Sequence, residues 1–447
     1  VATDPKIPPF ENNPQAGSMP PPLPASEPPV LSGPPPLAGA SPPPLPAGTS
    51  RKSESARKVL AILLSLCLGL FLADAVISFL DDSLIGFLNL DVLSAFRGFV
   101  FFFAALAAIV VYGLMGLTPM IPKRMFLPLT LFNLAAGLAV VPFMIYFYGR
   151  IQQVVWGISF CQVIFGLGIL YWVQGGFKLR WPLVAEEQLE GRGFSWKNLS
   201  VFLLANVFVL LPAVIVYLFV CAACAAGHFS EGFLALHPGG ITVQVRKYVR
   251  NDGKTIQLYP MVHVAESDFY RKVLQSFPTN SIILMEGVTD NKNLITNKAG
   301  YKRMAKALGL GEQHQDFKPN RGEMVRADVD VGQFATNTID VLNLVMFIHA
   351  KGLNPETLLA LIQYKEPPNL QEELFDDLLT KRNRRLLEEI HARLSQSEHI
   401  IVPWGAAHMP EIAKEIQKSG FRLEETQEYV AIRFHGVGNE GTDGKPK

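Results

Sequence analysis

The sequence predicts an α/β C-terminal domain with a central sheet, preceded by an all-α transmembrane bundle. Three observations carry that expectation. Apolar residues are unevenly spread over the 447 positions, so one half of the chain is lipid-like and the other is not. Five runs in the first half are long and apolar enough to cross a hydrocarbon layer of about 30 Å as helices. From residue 238 onward, short apolar strands alternate with amphipathic helices and include one βαβ unit, which favours parallel pairing.

Residues 1–57 come first. Pro20-Pro-Pro-Leu-Pro24, Pro34-Pro-Pro-Leu37 and Pro42-Pro-Pro-Leu-Pro46 leave too little apolar surface for a core. The stretch reads as a disordered tail of polyproline II character. It serves either as a flexible spacer or as a PxxP ligand for an SH3- or WW-like partner. The expected spans cover roughly 59–80, 98–117, 126–148, 154–173 and 201–226, within a transmembrane domain at 58–227. Asp74, Asn133, Pro142, Asn206 and Pro212 interrupt them. A carboxylate within a span invites a functional reading, but Asp74 stands just before Asp81 and Asp82 and is expected at the interface.

Lysine and arginine set the expected orientation. Arg51, Lys52, Arg57 and Lys58 precede the first span, Lys123 and Arg124 lie in the second loop, and Lys178, Arg180, Arg192 and Lys197 in the fourth. The first loop is acidic, with Asp81, Asp82 and Asp91. The N-terminus is therefore expected in the cytoplasm, and an odd number of spans carries the C-terminal domain to the other side. All four cysteines, Cys67, Cys161, Cys221 and Cys224, fall in apolar runs, so the C-terminal domain has neither a disulfide framework nor a thiolate metal site. A net charge of +1 without a basic stripe argues against nucleic acid as a partner.

The α/β domain is expected over 238–435. Ile241–Arg246 alternates as a strand, Asn251-Asp-Gly253 turns, and Thr255–Tyr259 returns. A helix over Glu266–Ser276, a buried strand over Ser281–Glu286 and a helix over Lys298–Leu308 follow. Helices are expected near 333–350, 355–363 and 370–395, then a strand at His399–Pro403 and a helix from 408 to 419 ended by Gly420. A strand pair across 421–435 and a disordered tail at 436–447 complete the chain.

Function is expected where strands end, because loops converge beyond the carboxyl edge of an α/β sheet. His263, Glu286 and His408 each fall at such an end. Two imidazoles and a carboxylate suit a divalent metal with one position open to water, whose pKa the ion would bring to about 7. His408 also opens a helix, where the dipole disfavours imidazolium. Gly405 is expected to allow close backbone approach. Glu266 reads as a first-turn helix charge or a general base. Asp328 in Arg326-Ala-Asp-Val-Asp330 reads as an N-cap, a ligand or an orienter of a histidine. Arg382, in a basic run, reads as a solvated charge or an oxyanion and substrate holder.

The runs His263-Val-Ala-Glu-Ser-Asp-Phe-Tyr270, Leu284-Met-Glu-Gly-Val288, Arg382-Asn383, Gly405-Ala-Ala-His-Met-Pro410 and Gly420-Phe421 together resemble the TraB/PrgY/GumN family. That group includes the Tiki proteins and is distantly similar to the erythromycin-esterase (EreA) and ChaN folds. The resemblance covers about 250–435. It implies a membrane-associated, metal-dependent hydrolase of peptide or protein substrates, with manganese, cobalt or zinc held by His263, Glu286 and His408. Glu266 or Asp328 would then manage protons, and Arg382 would orient substrate. Pro260 stands where the family's first motif has glycine. Two other readings stay open, a peptide- or signal-binding regulator without catalysis and a metal-free esterase with a histidine base.

Overall fold

The computed structural model describes residues 51–176, 179–189, 193–296, 302–365 and 367–434. Of the expected disordered tails, 1–50 and 436–447 lie outside the described residues, as does His435, whereas 51–57 form the start of the first helix.

The first part is helical: α1 (Arg51–Ser83), α2 (Ser94–Leu117), α3 (Lys123–Tyr146), α4 (Ile151–Gln174), α5 (Trp196–Ala205) and α6 (Leu211–Phe229). A π-turn over Asn206–Leu210 joins α5 to α6, so among the described residues five helical segments are long and apolar enough to cross a membrane. They coincide with the five expected runs. The acidic residues of the first expected loop behave differently. Asp81 and Asp82 belong to α1, are buried, and pair with Arg97 of α2 at 3.3 and 2.6 Å. Asp74 is buried too and accepts from Gln162 Nε2 of α4 at 2.9 Å. Spacing explains it, since positions 74, 81 and 82 share one helical face, and that face turns toward α4.

The second part is a mixed α/β domain. Its strands are β1 (Leu234–His237), β2 (Gly240–Val249), β3 (Thr255–Met261), β4 (Val264–Ala265), β5 (Ser281–Met285), β6 (Gly311–Glu312), β7 (Glu323–Arg326), β8 (His399–Gly405) and β9 (Arg422–Arg433). Its helices are α7 (Ser267–Gln275), α8 (Lys302–Leu308), α9 (Gln313–Asp316), α10 (Thr336–Lys351), α11 (Pro355–Gln363), α12 (Leu370–Phe375), α13 (Lys381–Arg393) and α14 (Met409–Lys418). The main sheet runs β1-β2-β3-β8-β5-β7, with β9 along the other edge of β2. β3, β8, β5 and β7 are mutually parallel. The βαβ unit of β3, α7 and β5 therefore exists, but β8 is inserted between its two strands.

Alternation along the strands builds two cores. Ile256, Leu258, Ile282, Leu284, Ile400, Val402 and Trp404 face Leu386 and Ile390 of α13 and Ile412 and Ile416 of α14. Tyr259, Met261, Ile283 and Ile401 face Phe269, Tyr270 and Val273 of α7. Strands covered on both faces read as continuous apolar runs, which is what made β3, β5 and β8 visible in the sequence.

The expected strand pair over 421–435 is instead one strand. Arg422–Arg433 carries no turn residue and pairs with the whole of β2, from Val249↔Arg422 to Gly240↔Arg433. Pro260 lies within β3 opposite Trp404 of β8, beyond Leu258, where pairing to β2 stops. Its missing N–H therefore removes no ladder bond on the β2 side.

Candidate active site

Parallel register brings the carboxyl ends of four strands level, with Met261 opposite Gly405 and Met285 opposite Arg326. The residues just past those ends are His263, Glu286, Asp328 and His408. Beside them is a cleft of about 590 Å³, lined by His263, Glu286 and Arg382 among its polar groups and by Val331, Phe334 and Leu342 among its apolar ones.

Arg382, from the first turn of α13, is the hub. Its Nη2 donates to Asp328 Oδ2 at 2.6 Å and to Glu286 Oε1 at 2.9 Å, and its Nε donates to Asp328 Oδ1 at 3.0 Å. Its guanidinium lies over the Trp404 ring, 5.3 Å from the centroid. Burial alone would lower the Arg382 pKa; pairing with Asp328 and Glu286 reverses that and raises it. Backbone groups hold the acids in place. Gly405 N donates to Glu286 Oε2 at 2.6 Å, and Gly287 N donates to Asp328 Oδ2 at 2.9 Å.

His408 is 4% exposed. Its Nδ1 lies 2.6 Å from Asn383 Oδ1, whose amide nitrogen in turn donates to Glu411. With Nδ1 donating to the amide oxygen, Nε2 keeps its lone pair and accepts from Arg382 Nη1 at 3.3 Å. Glu286 Oε1 is 3.7 Å from the same nitrogen. Burial pushes the His408 pKa down to about 4, with Arg382 adding to the effect and Glu286 and Asp328 opposing it. The ring is therefore neutral at pH 7. Trp404 fixes its other side, with the two ring centroids 5.1 Å apart and the planes nearly perpendicular.

His263 is exposed on the cleft wall, with Nδ1 3.2 Å from Gln313 Oε1. The β4–β6 ribbon and a bond from Gln313 N to His263 O at 2.9 Å hold it there. Among the described residues, no group of three or more His, Cys, Asp or Glu side chains is gathered to hold a metal ion. The donor chemistry fits an ion at His408 and Glu286, but His263 does not join them, and a guanidinium already supplies the positive charge between the acids. As arranged, the residues do not fit a three-ligand metal centre.

Comparison with family models, curated proteins and solved structures found no match.

Other expectations sort by position. Glu266 is not among the residues lining the cleft; its carboxylate receives Arg433 N at 2.9 Å and the Arg433 side chain, tying α7 to the end of β9. Asp328 has both oxygens engaged and its side chain is 1% exposed, which makes it a positioning group for Arg382. The capping role falls to Asp330, which accepts from Gly332 N at 2.9 Å and from Thr289 Oγ1 at 2.7 Å. A Cβ on Gly405 would meet Glu286 and His408 at 3.6–3.7 Å, ordinary contact, so close approach does not require glycine there. Sequence reasoning missed Asn383 as the partner of His408, and His314, which also lines the cleft.

Proposed function

We propose that the chain is a membrane-anchored hydrolase of the TraB/GumN/Tiki type, related to the EreA/ChaN folds, that cleaves acyl bonds of peptide or protein substrates in this cleft. The observation that carries the reading is the convergence of Glu286, Arg382 and neutral His408 at the carboxyl ends of parallel strands, beside a largely apolar cavity. Apolar walls bind side chains, and the few polar groups fix orientation. The five apolar helices anchor the domain in a bilayer, with the N-terminus cytoplasmic and the α/β domain on the opposite side.

Glu286 reaches the cleft with one oxygen held by Gly405 N–H and the other by Arg382. It orients a water and takes its proton. Arg382 is fixed by Asp328 and presents a permanent charge to the oxygen of the attacked carbonyl as negative charge develops there. His408, with a pKa near 4, stays neutral and its lone pair holds Arg382, so Glu286, which lines the cleft, itself returns the proton to the leaving group.

One observation favours a second reading with a divalent metal: Asn383 orients the neutral His408 ring so that Nε2 faces Glu286, the arrangement that supports histidine ligands. In that reading Glu286 and His408 would hold manganese, cobalt or zinc, His263 would have to move in from the cleft wall to join them, and the ion would supply Lewis acidity.

The test is peptide cleavage, followed by mass spectrometry, by the full chain in lipid vesicles, after chelation and after adding each metal. Wild type should cleave peptides with apolar side chains and Glu286→Gln should not. Peptides that bind but stay intact under every condition would replace hydrolysis with a binding role.

A further inference from the structure

The α/β domain carries an apolar helix with almost nothing packed on it. In α11, Leu358, Leu359, Leu361 and Ile362 are all exposed, and Leu353 in the preceding turn is 82% exposed. Thr357 is the buried exception; it joins Asn354 in a reciprocal capping box, and Thr357 Oγ1 also donates to Gly352 O at 2.9 Å. The helix is thus well formed yet points its leucines outward. Isolated exposed leucines need no explanation, but five large aliphatic side chains within ten residues do.

Position supplies the missing surface. Gln371, at the start of the next helix α12, donates from Nε2 to Tyr148 Oη at 3.4 Å. Tyr148 sits in the short turn between α3 and α4, where two of the apolar helices end. The ring of Tyr146 at the end of α3 also lies 4.8 Å from that of His228 at the end of α6, so three helix ends share this level. Tyrosines at such ends mark the headgroup zone of a bilayer. The flanks of α11 fit the same zone. Lys351 and Lys365 stand before and after it, and Lys351 pairs with Glu356 at 2.9 Å while lying over the Phe347 ring, as a snorkelling lysine does.

We infer that the α10–α11 hairpin docks on the bilayer surface beside the spans, with Leu353, Leu358, Leu359 and Ile362 entering the acyl region of the leaflet that the α/β domain faces. The inference rests on the reading of the five apolar helices as membrane spans. It bears on the cleft as well, because α10 contributes Leu342 and Met346 to the cleft wall and leads directly into α11. Lipid contact at α11 therefore holds one wall of the cleft beside the membrane and favours substrates that are themselves membrane-attached.

The test reconstitutes the full chain into phosphatidylcholine vesicles containing a lipid with a photoreactive acyl chain, and maps labelled peptides by mass spectrometry. Label is expected on the five apolar helices and on 353–363, and loss of label from 353–363 alone is expected in the double variant Leu359→Glu, Ile362→Glu. Labelled spans with an unlabelled wild-type 353–363 overturn the docking inference while leaving the membrane reading intact. Protein–protein cross-links from α11 to a second copy overturn it in favour of self-association. An unlabelled bundle sinks the membrane reading, and the docking inference with it.

Discussion

Replacing Arg382 by alanine tests whether the site is built around this guanidinium. The side chain makes four polar contacts, to Asp328 through two nitrogens, to Glu286 and to His408, with all distances between 2.6 and 3.3 Å. Removing it leaves the Asp328 carboxylate, 1% exposed, and Glu286, 13% exposed, without a counter-charge. Breaking a buried pair from one side costs about 3–5 kcal/mol, because the remaining charge stays desolvated. The backbone N–H groups of Gly287 and Gly405 still solvate the two acids, which places the expected loss near the lower end, about 3 kcal/mol. Asp328→Asn alone should also destabilise, and the double variant should lose clearly less than the sum of the two. Denaturant unfolding of the full chain in detergent, read by fluorescence, measures all three. An Arg382→Ala variant within about 0.5 kcal/mol of wild type, or strict additivity with Asp328→Asn, would refute the argument that Arg382 is the structural cation of the centre.

Acid should weaken the domain through His408. Its pKa is near 4 in the folded protein against about 6.5 in an unfolded chain. The unfolded state therefore binds more protons in this window, and stability present above about pH 6.5 is lost as the pH falls toward 4, by about 3 kcal/mol in all. His408→Gln should flatten that part of the stability–pH profile. Gly240→Ala should be severe, because a Cβ there would meet Ile432 O at 2.1 Å and the φ of 150° disfavours alanine, whereas Gly405→Ala should leave stability nearly unchanged; thermal unfolding of the two separates them. On the metal reading, purified wild type should carry a stoichiometric divalent ion that His408→Ala lacks; elemental analysis finding none in either would leave Arg382 as the centre's only positive charge.

What could be read from the sequence followed burial. β3, β5 and β8 were legible because they are covered on both faces, so the positions of His263, Glu286 and His408 at strand ends were legible too. β7 was not, because Glu323 and Met324 are exposed and the strand lies at the edge of the sheet, leaving no apolar run to find. The basic run from Lys381 to Arg385 gave no sign of which arginine turns inward. Arg382 does so because its side chain reaches Asp328 and Glu286, while Arg385 pairs with Glu388 and Glu389 on the same helix. The pairing of Asn383 with His408 joins α13 to the start of α14, a tertiary contact that spacing along the chain does not encode. Asp81 and Asp82, expected in a loop, lie in α1 for a related reason, and Asp74 of the same helix is buried with them. Their burial depends on Gln162, Ser159 and Arg97 meeting them from α4 and α2.

The most direct measurement of the central claim is cleavage in water enriched in the heavy oxygen isotope. Wild-type protein should place one labelled oxygen in the new carboxyl group of each cleaved peptide, and Glu286→Gln should abolish that incorporation while retaining fold and peptide binding. Product without label, or equal labelling by wild type and Glu286→Gln, would contradict the assignment of water activation to this centre.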